Sequence, residues 1–392
     1  MLAYVVYGTL SCANLSPADW RPSVSNAPRV LALASAFPPH DFAQETLASH
    51  ARELILGPGW QGDATRAVHA ERITQLFEAS YVAHRASVVD LPAYYAQTRG
   101  TGERMALYAA AARELGRAAL EPALDQLADD DARERIDDFV VASCTGYTAP
   151  GLDVLLSRDL GLPHDARRLV IGHMGCFGAL AGLRACLAAL RAEPRSGALA
   201  ALLCVELTTL HFAPTLDPEV LTACALFGDA AAALVLGHPD AEAQDDTAGP
   251  QLIDTYCATD FAAAEQMTWT ITDQGFVMGL SPRVPVVLRR AAPGVIERLL
   301  APHGLRTRDI AHWIVHPGGP SILEAVQRGL GLSAEQTALA WDVLRDHGNC
   351  SSATVLLILE RLLRSGRTQP GEWGVMMAFG PGLTLETCLW RF

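Results

Sequence analysis

The sequence predicts an α/β fold made of two duplicated halves, on three observations. Apolar strand-like runs alternate with Ala- and Leu-rich helical stretches over all 392 residues. Three pairs of segments match at one offset of 173 positions. Val140-Val141-Ala142-Ser143 matches Trp313-Ile314-Val315-His316, and Gly175-Cys176 and Gly348-Asn349 each precede a helix. Leu202-Leu203-Cys204-Val205-Glu206 matches Val375-Met376-Met377-Ala378-Phe379. Between the copies, residues 239–250 are rich in Pro, Asp and Glu, a linker-like shift in composition. The organisation expected is an extension (1–28), a first half (29–238), the linker (239–250) and a second half (251–392).

Along the first half, residues 30–34 read as a strand closed by Pro38-Pro39. Helical patterns fill 41–79 around a break at Gly57-Pro58-Gly59, and again 104–127. The acidic run 125–138 is a solvated face, and 138–143 a buried strand. Residues 177–191 hold no proline and strong helix formers throughout, so they read as a buried helix. A strand at 199–206 and a bend into a buried element within 223–236 complete this half. The second half repeats the plan, with a strand at 313–316, a helix at 351–364 and a strand at 375–379.

Composition narrows the function. Half of the chain is hydrophobic and its formal net charge is −13, which supports a large core and argues against nucleic acid or an anionic membrane as partner. All thirty basic residues are arginine, which excludes lysine Schiff bases, pyridoxal phosphate attachment and a Gly-Lys-Ser/Thr phosphate loop. Nine scattered cysteines with no Cys-x-x-Cys pair predict neither a disulfide framework nor a zinc site. The apolar start carries no basic residues, and no uninterrupted apolar run reaches the ~18 residues a spanning helix needs. A cytoplasmic protein is expected.

Cys176 stands where an apolar strand meets the start of the 177–191 helix. Unpaired N–H groups and the helix dipole there favour an anion, so the thiol is expected to be a reactive thiolate. Alone, a cysteine in an apolar run is more often structural, His316 more often a packed histidine, and Asn349 more often a helix cap. Packing the two copies back to back brings their helix starts together, so that Cys176 faces Asn349 with His316 close by at a strand end. A cysteine beside a histidine is an activated nucleophile, and imidazole and amide N–H groups aimed at one point stabilise an enolate or oxyanion.

Gly175-Cys176-Phe177-Gly178, Ala225-Leu226-Phe227-Gly228-Asp229 and His316-Pro317-Gly318-Gly319-Pro320 together resemble the chalcone synthase-like type III polyketide synthases. Gly348-Asn349-Cys350-Ser351-Ser352-Ala353 and Phe379-Gly380-Pro381-Gly382-Leu383-Thr384 extend that resemblance over about residues 29 to 392. It implies the thiolase-like, five-layered αβαβα fold of condensing enzymes, a homodimer, acyl-CoA and malonyl-CoA as substrates, and no metal or other cofactor. Cys176 would carry the acyl chain, with His316 and Asn349 promoting decarboxylation and Phe227 acting as gatekeeper. The cavity would be shaped by Cys144, Thr145, His211, Ala223, Trp269, Ser351 and the Gly380-Pro381-Gly382 loop. Trp269 and His211 stand where plant members carry Gly and Thr, which narrows or redirects the cavity. For CoA, Arg72 matches the family's basic cluster, Gln75 and Ala79 depart from it, and Arg66 is read as a substitute. A carrier protein is the alternative acyl donor. The competing readings are a β-ketoacyl-carrier-protein synthase III performing one condensation, and a silent acyl-binding dimer.

Overall fold

The structure, a computed structural model, describes residues 27–127, 131–192, 197–238 and 249–392. The expected extension 1–28 and linker 239–250 therefore lie almost wholly outside the described residues. The first half runs β1 (Arg29–Ala36), β2 (His40–Ala43), α1 (Gln44–Leu56), α2 (Ala64–Ala79), β3 (His84–Ser87), α3 (Leu91–Tyr95) and α4 (Thr101–Leu124). It continues through β4 (Ile136–Ala142), α5 (Leu152–Leu160), β5 (Arg167–Ile171), α6 (Gly178–Ala192), β6 (Leu199–Glu206), α7 (Pro218–Leu226) and β7 (Ala230–Gly237). The second half begins with β8 (Gln251–Thr259), the hairpin β9 (Met267–Thr272) and β10 (Gly275–Leu280), and α8 (Val284–Leu300). It ends with β11 (Ile310–Val315), α9 (Pro320–Leu330), α10 (Ala338–His347), α11 (Thr354–Arg364), β12 (Trp373–Gly380) and β13 (Thr384–Arg391).

Nine strands pair in the order β11-β12-β13-β8-β1-β7-β6-β4-β5. In one leaf β4 is parallel to β5 and β6, while β7 runs antiparallel to both β6 and β1. The other leaf repeats this: β11 and β12 are parallel, and β13 is antiparallel to β12 and β8. The leaves join at one residue pair, Arg29 with Gln251. Between them lie α6 and α11, each packed on strands of both leaves, with α4 and α5 outside the first leaf and α8 and α9 outside the second. This is the five-layered arrangement expected of the thiolase-like fold.

Strand period two divides the core. Ala200, Leu202 and Cys204 of β6 face the central helices, whereas Ala201, Leu203 and Val205 face α4. Each fully buried Leu contributes roughly 1.5–3 kcal/mol relative to exposure. Gly182 of α6 sits so close to β6 that an added Cβ would lie 2.5 Å from Leu202 Cδ1. Close approach, as much as apolarity, therefore seats the central helix. Residues 175–192 are long and apolar enough to cross a membrane by composition, but 61% of that stretch is buried inside the protein.

The halves differ at one strand. The position 173 residues after β5 falls in α10, where buried Ala340, Val343 and Leu344 recur at helical spacing. β5 is one edge of the sheet and β11 the other, and Leu169 and Val170 of β5 are 45% and 51% exposed.

Candidate active site

The turn Gly175–Phe177 precedes α6 and holds Cys176 just outside that helix. Gly175 has φ +74°, and a Cβ there would meet Pro381 Cδ at 2.4 Å, so only glycine suits both the conformation and the contact. The Gly380-Pro381-Gly382 loop is thus packed directly behind the nucleophile turn, with Gly382 also at positive φ.

Asn349 arrives from the second half. Its Oδ1 lies 4.0 Å from Cys176 Sγ and accepts the Ser351 N–H at 2.8 Å. That acceptor role fixes which way the amide points and leaves its NH2 group as a donor. Capping and chemistry are therefore compatible at this residue. Its backbone pairs with the end of α7, Asn349 N–H donating to Leu226 O at 2.8 Å and Gly228 N–H to Asn349 O at 3.0 Å. Phe227 is held between these bonds, tied to the same loop as Asn349.

His316 follows β11 at the same sheet end as Phe379 of β12, the two rings edge-on at 5.7 Å. The imidazole is fully buried and neither ring nitrogen has a hydrogen-bond partner. Burial pushes it down to about 3, so it is neutral, with one donor and one acceptor nitrogen available. Burial also pushes the Cys176 thiol up to about 12. The expected resting thiolate is not what this geometry gives. Desolvation outweighs the lowering effect of Ser351, Asn349 and the turn's own N–H.

A narrow cavity with about 20 Å³ of room is lined by Cys176, Cys144, Thr145, Phe227, Trp269 and Ser351, among others. Pro381 also lines it. A second void, also of about 20 Å³, is lined by Ala223 and His211 and shares Thr208, Phe227, Trp269 and Met278 with the first. Of the sequence-expected cavity residues, Cys144, Thr145, Trp269, Ser351 and Pro381 therefore meet at Cys176, whereas His211 and Ala223 lie one void further on. His211 is committed on both sides: Nε2 donates to Thr145 O at 2.6 Å and Nδ1 accepts from Phe276 N–H at 3.1 Å. Burial pushes it down to about 4. Trp269 Nε1 donates to Cys144 O at 2.8 Å, which anchors the β9–β10 hairpin over the cavity.

Beyond Leu226, the neighbour of Phe227, a groove of about 630 Å³ runs between α2, α7, α8 and the start of α9, lined also by Gly318 and Gly319. Leu76 and Ala79 of α2 line it, and Arg72 is exposed one turn before Leu76 on the same helix face. Arg66 is placed elsewhere. It donates to Leu56 O at 3.2 Å and lies 3.7 Å from Asp63, the residue that caps α2, so the substitute role expected for it is not supported by position.

Three buried polar groups beyond the expected site residues support the site. Glu206 accepts from Cys144 N–H and Thr145 Oγ1 on one oxygen, and from Ser351 and Ser352 hydroxyls on the other. Burial pushes it up to about 7. Asp229 accepts from Val88 N–H, Thr209 N–H and the Thr208 and Thr209 hydroxyls. Arg85 donates to Cys224 O and Phe227 O. Together they fix the nucleophile floor and the Phe227 turn. The available signal was a lone acid closing an apolar run, in Leu203-Cys204-Val205-Glu206 and Leu226-Phe227-Gly228-Asp229, because an unpaired charge there is untenable.

Comparison with known proteins agrees with this frame. The chain matches the family model for the N-terminal domain of chalcone and stilbene synthases over residues 23–240, and that for their C-terminal domain over 258–392. It is 39% identical over 250 residues to the 3,5-dihydroxyphenylacetyl-CoA synthase of Streptomyces toyocaensis, covering 62% of this chain and 63% of that relative's length. It is 34% identical over 364 residues to the 1,3,6,8-tetrahydroxynaphthalene synthase of Streptomyces peucetius subsp. caesius, covering 93% of each. The crystal structure of the tetrahydroxynaphthalene synthase of Streptomyces coelicolor A3(2) superposes with a TM-score of 0.82 at 26% identity, covering 93% of this chain and 99% of that one.

Proposed function

The chain belongs to the family of chalcone and stilbene synthases, the type III polyketide synthases, and from that premise we propose that it condenses malonyl-CoA repeatedly, with loss of CO2, onto an acyl-CoA starter held on Cys176. The observation that carries this is Cys176 Sγ lying 4.0 Å from Asn349 Oδ1, across the junction of the halves, in a cavity that Phe227 also lines.

Cys176 passes its proton to His316 and attacks the starter thioester, forming the acyl-cysteine bond and releasing CoA thiol. Malonyl-CoA follows, its thioester oxygen held by the N–H groups of His316 and Asn349. Its carboxylate meets apolar Phe227, where lost hydration favours departure as CO2. The enolate left behind attacks the Cys176 thioester, the chain moves to CoA, and Cys176 is free to take it back. The finished poly-β-ketone cyclises to a pyrone or a phenolic ring. This chemistry calls for no metal and no redox cofactor.

The subunit is read as a homodimer joined through the β5 edge, since an exposed strand edge bearing Leu169 and Val170 is a template for pairing with a second copy. Purified protein given malonyl-CoA and aromatic, short-chain or long-chain acyl-CoA starters should yield pyrones or phenolics carrying several malonyl-derived units by mass spectrometry. One-unit β-ketoacyl products alone would move the assignment to a single-condensation synthase.

Trp269 sets the size of the space. Trp269→Gly removes the ring shared by the two voids and joins them. Preference for a decanoyl over an acetyl starter, measured as the ratio of kcat/KM, should rise roughly tenfold or more. An unchanged ratio would place the limiting wall elsewhere.

A further inference from the structure

The chain's negative charge is unevenly shared. Residues 251–392 hold 12 arginines and 13 acidic residues, a net of −1, against −12 for residues 1–250. Within the second half, Arg283, Arg289, Arg290 and Arg298 are all exposed on or at the head of α8. None of the four pairs with a carboxylate among the described residues. Elsewhere, Arg113, Arg117, Arg168, Arg328, Arg345 and Arg361 each do.

The helical period puts Arg283, Val286 and Arg290 on one stripe, opposite the buried stripe Val284, Leu288, Ala292 and Val295. Val286 is 45% exposed, an apolar centre within the basic patch. The start of this helix borders the groove described above at Val284 and Pro285, with Pro282 just before it. Arg283 stands at the groove mouth, whereas Arg298, fifteen residues on, is about 22 Å further along the axis. A row of that length exceeds what one nucleotide's phosphates need, and suits a second macromolecule.

We propose that the exposed face of α8 is a docking surface for an acidic acyl carrier protein, whose phosphopantetheine thioester enters the groove beside it. The proposal rests on the function proposed above and names a second source for its acyl groups. Carrier carboxylates would meet Arg283 and Arg290 on either side of Val286, and Arg298 about 18 Å further on an adjacent face, past exposed Glu297, so encounter would be electrostatically steered and salt-sensitive. In the transfer, the Cys176 Sγ–acyl bond forms as the carrier's thioester C–S bond breaks, and the cysteine proton ends on the released pantetheine thiol.

The test compares two donors of one acyl group: hexanoyl-CoA, and a purified bacterial acyl carrier protein loaded with hexanoyl-phosphopantetheine. Hexanoylation of Cys176 is followed by intact-protein mass spectrometry in wild type and in Arg290→Glu with Arg298→Glu, two positions remote from the groove mouth. Loading from the carrier should be seen in wild type and fall roughly 10- to 100-fold in the variant, with the difference shrinking in high salt. Loading from hexanoyl-CoA should change less than about twofold, which also shows that the variant is folded. Wild type loading from CoA but not from the carrier would overturn the proposal, as would equal losses with both donors. Failure of wild type to load from either donor would instead overturn the condensing activity on which it rests.

Discussion

Asn349→Asp is expected to load its starter on Cys176 and then fail to extend it, with condensation slowed roughly 10²- to 10³-fold. Aspartate keeps an oxygen where Asn349 Oδ1 accepts the Ser351 N–H, and a carboxylate is a good partner for such an N–H group. It removes the NH2 donor and places negative charge where the enolate must form. The fold and the Phe227 turn, tied to this residue only through its backbone, should be unaffected. An unchanged melting temperature and a persistent acyl-cysteine mass, with product lost, would separate chemistry from capping. Extension at near the wild-type rate would remove Asn349 from the reaction.

Glu206→Ala should destabilise the protein by roughly 3 kcal/mol or more, because four donors from both halves lose their acceptor in a dry site. The carboxyl also makes stability depend on pH. Its folded value, about 7, lies above the ordinary 4.5. The folded state therefore binds the proton more tightly, and this contribution is full below about pH 4.5 and lost as pH rises towards 7. Wild type should lose stability across that window more steeply than Glu206→Gln, measured by denaturant unfolding at several pH values. Parallel pH profiles would mean that Glu206 is charged throughout. Glu206→Ala unfolding like wild type would show that the four donors find other partners.

Much of this site was legible because its parts are local. Cys176 and Asn349 stand at equivalent points of a repeated strand-to-helix unit, so one offset placed them face to face. The runs that became β4, β6, β11 and β12 are apolar enough to be read without a fold. What escaped depends on distant residues. Arg66 looked free until Asp63 capped its helix and Leu56 O took its guanidinium. His211 was expected at the cavity wall but turns both nitrogens to backbone groups brought by the β9–β10 hairpin and the segment after β4. The acidity of Cys176 depends on how dry its cavity is, which a helix start does not disclose.

Counting CO2 against product tests the central claim most directly. Malonyl-CoA labelled in its free carboxyl is supplied with an accepted starter, and released label is divided by molecules of product. Iterative condensation predicts several CO2 per product in wild type and no product in Cys176→Ala. One CO2 per product, or product formed without Cys176, would contradict it.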